Sequence, residues 1–168
     1  MASRVRYRFV TQFSGYISYD QLMNAMLEGI MINAKIVDYA KYFNQIRKIR
    51  IEVFSKEQGV PQELEFDGLD SGAIHSIALD ENTEIGTGRM LSDGHIGRIA
   101  VKKQYRGNGI GKMIMKSLID EAIKMQFAEV WLSSQYHAKG FYEKLGFTEI
   151  GDIYKEADID HVKMMKKL

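Results

Sequence analysis

From Arg98 to Ser134 the chain reads RIAVKKQYRGNGIGKMIMKSLIDEAIKMQFAEVWLSS, and no other stretch restricts the fold so strongly. Strand character runs from His95 to Val101. A glycine-rich turn follows, then a helix over Ile110 to Met125 with Ile110, Ile114, Leu118 and Ala122 on one face. Ala128 to Ser134 is a continuous apolar run, as a buried strand should be. A strand, a crossover helix and a strand make the flanking strands parallel. The glycine turn then lies at their carboxyl edge, where such sheets bind ligands.

The residues before this unit alternate short strands with polar turns. Asn33 to Asp38 reads as a strand, and Tyr39 to Gln58 as a helix with Tyr42, Ile46, Ile49, Val53 and Phe54 at helical spacing. Ala73 to Leu79, Glu84 to Leu91 and His95 to Val101 form an antiparallel meander joined by DENT and SDG. After the crossover, HAKGFYEKLGF predicts a short helix stopped at Gly146, and HVKMMKKL a last strand. The class is mixed α/β, a meander followed by a β-α-β crossover. A length of 168 residues with 45% hydrophobic content suits one compact domain. We place that domain at 33–168, with 1–32 as an extension of unknown role.

Several functions fall away on composition. A net charge of +1 gives no bulk attraction to nucleic acid or to an anionic membrane. No cysteine is present, which removes thiol nucleophiles, disulfides and thiolate metal sites and suits a reducing cytoplasm. No apolar run reaches the roughly 18 residues of a membrane span, and the first 20 residues lack the apolar stretch of a secretion signal.

The three glycines at 107, 109 and 111 offer bare amides at the start of a helix, the arrangement that seats phosphate. A P-loop does not fit, because Arg106 and Met113 stand where Gly and Ser or Thr are required. The dinucleotide fingerprint fails on spacing. What fits is Arg-x-x-Gly-x-Gly, from Arg106 through Gly109 to Gly111. With this motif the chain resembles the GNAT family, the Gcn5-related N-acetyltransferases, whose acyl-CoA signature is Gln or Arg, two residues, Gly, one residue, then Gly or Ala. The segment QYHAKGFYEKLGF resembles the family's second signature, with Gln135 replacing an Asn. FSKEQGVPQELEFDGLD is similar to the small bacterial subgroup typified by ElaA and YjcF, in which residues 1–32 have no counterpart.

The resemblance implies an acyl-CoA N-acyltransferase fold with splayed parallel strands, and transfer of acetyl from acetyl-CoA to a primary amine without a metal. It assigns Arg106, Gly107, Asn108, Gly109, Ile110 and Gly111 to the pyrophosphate. Ile99, Ala100 and Val101 line one side of the pantetheine arm, and Ser134 and Gln135 the other. Tyr142 becomes the proton donor to the leaving thiolate. A catalytically silent acyl-CoA binder or sensor is the alternative, and the retention of Tyr142 argues against it.

The base and the acceptor stay open. His75, His95 and His161 are candidates, as are Glu63, Glu65 and Asp67 and a water chain with no dedicated base. The acids from Glu57 to Asp70 read as a solvated loop, as a rim attracting a cationic small-molecule or peptide amine, or as a homodimer contact.

Overall fold

The computed structural model describes residues 32–156 and 158–168. The extension assigned to 1–32 lies outside them except for its last residue. Four strands form one antiparallel sheet in the order β1 (Ile32–Val37), β2 (Ile74–Asp80), β3 (Thr83–Met90) and β4 (Ile96–Val101). Three more form a second sheet, in which β7 (Ile159–Lys167) lies between β5 (Glu129–Gln135) and β6 (Thr148–Glu156). The expected meander is therefore present, extended by β1 on its outer edge.

Helix α1 (Tyr39–Arg50) starts where Asp38 accepts the main-chain N–H of Lys41 at 2.9 Å, an N-cap. Arg47, Lys48 and Arg50 in its last turn suit the negative end of the helix dipole. The chain stays helical to Glu57, as its spacing suggests, but Ile51–Glu57 is wound as a π-helix. This wider winding often marks functional sites. Within the segment expected as a loop, Gln62–Glu65 forms a one-turn helix, α2.

Helix α3 (Ile110–Lys124) buries Ile110, Ile114, Met115, Leu118, Ile119 and Ala122, which include all four residues of the expected face. They pack with Ile85, Met90, Ile96, Val130, Leu132, Phe147 and Met164 in the main core. Its close approach to β3 depends on two glycines. A Cβ on Gly88 would lie 2.6 Å from side-chain atoms of both Ile114 and Ile99, and one on Gly86 would lie 2.9 Å from the Ala100 carbonyl oxygen. On the opposite face α1 covers Ile77 and Ala100 with Ile46, Ile49 and Val53.

One strand was not expected from the sequence, and another begins earlier than expected. Strand β6 was not legible because all nine of its residues are exposed, so it has no inward and outward alternation. A bulge around Gly151 (φ +73°) further breaks its pairing with β7 between Ile150 and Tyr154. Strand β7 begins at Ile159, two residues before the expected His161. The short helix α4 (Lys139–Glu143) forms as expected and is followed by Gly146 at φ +86°.

Replacing Gly88 by Ala is expected to lower the unfolding free energy by about 1–3 kcal/mol, because the added methyl overpacks a filled interface. A urea titration checks this, and an unchanged midpoint would mean that α3 is free to move away from β3.

Candidate active site

Strands β4 and β5 part from each other along most of their length. Among the described residues they share one parallel bridge, His95 with Trp131, where the Trp131 N–H donates to the Gly94 carbonyl at 3.0 Å. The cause of the parting is local. The register of β3 on β4 shifts between Thr87 and Arg89, so Arg98 and Ile99 together face Gly88, and Arg98 has φ +54°. This is a β-bulge, which bends the strand that carries the extra residue.

Main-chain groups alternate sides along a strand, so single hydrogen bonds orient the rest. The Lys102 N–H donates to Ile85 on β3. Ala100 therefore also faces β3, while Ile99 and Val101 turn their amides and carbonyls towards the gap. On β5 the Trp131 bond points the groups of Ser133 and Gln135 into the gap and those of Ser134 towards β7. Ser134 is buried, and its hydroxyl donates to the Gln135 carbonyl at 2.9 Å. Of the five residues expected along this cleft, Ile99, Val101 and Gln135 face it with backbone. Ser133 joins them, because the Trp131 bond sets the phase of the two-residue period of β5.

The cleft ends at the glycine turn. After a 3-10 turn at Lys103–Tyr105, Gly107 and Gly109 both take φ +78°, and Gly109 is the N-cap of α3 with no side chain to cap it. The Arg106 N–H is taken by the Lys103 carbonyl. For the N–H groups of Gly107, Asn108 and Gly109 no acceptor is found among the described residues. Those of Ile110, Gly111 and Lys112 lie in the first helical turn, which has no intrahelical partner for them. The Asn108 amide braces the turn, donating to the Tyr105 carbonyl at 3.2 Å.

Arg106 is not a free cation at this seat. Its Nε donates to the Val101 carbonyl at 2.9 Å, and its two terminal nitrogens hold Glu57 at 2.5 and 2.8 Å. The bond from Arg106 also depresses the Glu57 carboxyl pKa. The π-helix that ends at Glu57 is thus tied to the glycine turn.

Tyr142 on α4 packs edge-on against Phe141 and Phe147, and its hydroxyl has no hydrogen-bond partner among the described residues. Burial raises its pKa, so the proton stays on the oxygen at neutral pH. Phe141 in turn lies 3.5 Å from where a Cβ on Gly111 would be, which places α4 against the start of α3.

Three acids of the loop, Glu65, Asp67 and Asp70, serve the fold. Arg50, 1% exposed, binds Glu65 through Nε at 2.5 Å and Asp70 through Nη1 at 2.6 Å. Arg89 grips both oxygens of Asp67 at 2.7 Å and reaches Asp70 at 2.9 Å. Arg98, at the bulge, binds Glu65 at 3.0 Å and Asp67 at 3.2 Å. Three carboxylates thus face three guanidinium groups, which cancels the attraction expected for a cationic acceptor. Arg89 holds the Asp67 carboxyl well below the usual carboxylate range, so Asp67 is a poor base. Burial pushes the Glu65 carboxyl up, and Arg50 opposes that shift. Glu63 stays exposed.

His75 belongs to this network. Its Nε2 donates to the Asp70 carbonyl at 2.8 Å, Tyr39 stacks on it at 4.6 Å, and its Nδ1 is sealed without a partner. Burial lowers its pKa, and the side chain is 1% exposed. His95 lies flat on Trp131, with ring centroids 3.9 Å apart, at the closed end of the cleft. A separate cavity of about 380 Å³ lies between Val37–Ala40, Ile74 and the end of α3 at Glu121 and Met125, far along α3 from the glycine turn. It includes the first turn of α1 at Tyr39 and Ala40 but lies apart from the parted strands and the glycine turn, so the cleft is the better candidate.

Known proteins share this fold. Residues 38–168 match the family model of the acetyltransferase (GNAT) domain. The Bacillus subtilis N-acetyltransferase YjcF is 37% identical over 122 residues, which is 70% of this chain and 87% of that protein. The crystal structure of an acyl-CoA N-acyltransferase from Pseudomonas aeruginosa superposes with a TM-score of 0.72 at 28% identity, covering 81% of this chain and 99% of the other. Escherichia coli ElaA shares the fold with a TM-score of 0.73 at 23% identity, over 82% of this chain and all of its own.

Asp67→Asn should cost about 1–3 kcal/mol of stability at pH 7, the loss of charge-assisted bonds to Arg89. A depressed carboxyl pKa contributes stability above the unfolded value near 3.9, lost as pH falls through the folded value. The gap between variant and parent should therefore close in acid. Denaturant titrations at pH 7 and below pH 4 test this, and a gap that does not narrow would assign the cost to packing.

Proposed function

Because the chain belongs to the GNAT family of acetyltransferases, we propose that it transfers the acetyl group of acetyl-CoA directly to a primary amine. The carrying observation is the cleft between β4 and β5, whose strands leave their facing main-chain edges without a ladder beyond one bridge, ending at a turn of free amides. A pantetheine arm has amides that bond to such edges as an added strand does. A pyrophosphate suits bare N–H groups at the positive end of a helix. The donor supplies the acetyl group as a thioester.

In this reading the N–H groups of Gly107 to Lys112 hold the pyrophosphate. The main-chain groups of Ile99, Val101, Ser133 and Gln135 align the arm, and an N–H of Ile99 or Val101 faces the oxygen on which charge develops. Arg106 acts less as a phosphate ligand than as a brace, since Glu57 and Val101 already occupy its donors. Tyr142 gives its proton to the thiolate as the carbon–sulfur bond breaks. The residues before Asn33 take no part.

Two substitutions divide binding from chemistry. Gly109→Val adds a β-branched side chain at φ +78° and should remove the protection from thermal unfolding that acetyl-CoA gives. For the parent that protection is about 2.7 kcal/mol at one hundred times the dissociation constant. Undiminished protection in a folded variant would move the phosphate seat elsewhere.

Tyr142→Phe keeps the ring and removes the hydroxyl. Thiol release should fall about 10–10³-fold, because water substitutes in part for a general acid. Acetyl-CoA affinity should hold within a factor of two, since the loss falls on the transition state. Equal rates in variant and parent would remove Tyr142 from the mechanism.

A further inference from the structure

An alkylamine is protonated at neutral pH, so a nucleophile must first be unmasked. The chain has four histidines, and each sits differently. His75 is sealed in the arginine network. His95 is stacked on Trp131, with no hydrogen bond to fix its tautomer. His137 lies exposed on the turn after β5.

His161 on β7 is nine-tenths buried, and its Nδ1 lies 2.9 Å from the Ile159 carbonyl oxygen. A carbonyl only accepts, so Nδ1 carries the hydrogen. In the neutral ring Nε2 then holds the lone pair. No protein group bonds to Nε2, and it is not among the sealed polar atoms. The side chain is thus held by its neighbours and opens to solvent through its basic nitrogen.

Its place in the sheet is equally specific. His161 pairs with Gln135, whose main chain faces the cleft, and on its other side with Tyr154. Ser133, Gln135 and His161 share one face by the two-residue period and the register. Tyr154 stacks near the imidazole at 6.1 Å, and its hydroxyl bonds to Ser133, which also reaches Glu156 at 3.4 Å. This polar face adjoins β5 on the side of the sheet where α1 lies, opposite the face covered by α3.

We propose that His161 Nε2 takes the proton from the acceptor ammonium, an inference that rests on the amine-acetylation reading. The ammonium gives one proton to Nε2, and the imidazolium keeps its Nδ1–H bond to Ile159. The freed lone pair forms the carbon–nitrogen bond as the carbon–sulfur bond breaks. Tyr142 gives its proton to the departing sulfur and recovers the one that the new amide nitrogen sheds. His161 then releases its proton to solvent. The sum is ammonium and thioester to amide, thiol and one proton.

His161→Asn tests this, because the Asn amide can still donate to the Ile159 carbonyl while Nε2 is gone. His161→Gln serves as a second variant. With acetyl-CoA saturating, kcat/KM for a basic alkylamine should fall about 10–10³-fold, on the scale of general-base loss. Added imidazole should restore part of the rate. The defect should shrink with hydroxylamine, which is already neutral at pH 7. Acetyl-CoA protection in a thermal melt should match the parent's.

An active parent with unimpaired variants overturns the role of His161 and leaves acetyl transfer standing. A defect equal for alkylamine and hydroxylamine, unmoved by imidazole, makes His161 structural. A parent that releases no thiol from acetyl-CoA with any amine overturns the broader reading, and His161 with it.

Discussion

The bulge at Arg98 is the feature on which the rest of this chain depends. By placing two residues of β4 opposite Gly88, it turns a strand that begins beside β5 away from it. Without that turn the two strands would continue their ladder from His95 and Trp131, and Ile99, Val101, Ser133 and Gln135 would satisfy one another. A left-handed conformation at a non-glycine residue is sustained only when its surroundings overdetermine it. Here they do. The Arg98 guanidinium is held by Glu65, Asp67 and the Leu64 carbonyl, so the backbone distortion is anchored through a side chain.

That anchoring explains why the acids of the loop are not spare charge. Glu65, Asp67 and Asp70 connect α1 through Arg50, β3 through Arg89 and the bulge through Arg98. Breaking a buried ion pair leaves an uncompensated charge, which is far worse than never having formed the pair. The three elements that surround the open strand edge are therefore coupled, and a change in one carboxylate would be felt at the cleft.

Much of this was legible in the sequence, and the reasons for the remainder are specific. The crossover was readable because α3 has a one-sided apolar face and β5 an unbroken apolar run. The turn of bare amides was readable because glycines at 107, 109 and 111 run directly into a helical pattern. Strand β6 was hidden because neither of its faces is buried. The loop acids Glu65, Asp67 and Asp70 were misleading because their partners lie 15 to 33 residues away, and a charge looks solvated until the chain folds. Arg98 carried a usable signal, a cation inside an otherwise apolar strand, which demands a partner. The choice between Ser133 and Ser134 needed one hydrogen bond to set the phase of β5, and no sequence pattern supplies that.

The uncapped start of α3 has a consequence for the resting protein. A Ser, Thr, Asn or Asp side chain would cap such a start, but a side chain is strained at φ +78°, the conformation position 109 takes. The chain has instead a glycine in a left-handed conformation, with no side chain to answer the first donors of α3. That helix lies across the main core, so the shortfall is borne by the whole fold. In this sense the start of α3 is left one cap short, and its N–H groups stay open to an acceptor that the described residues do not supply.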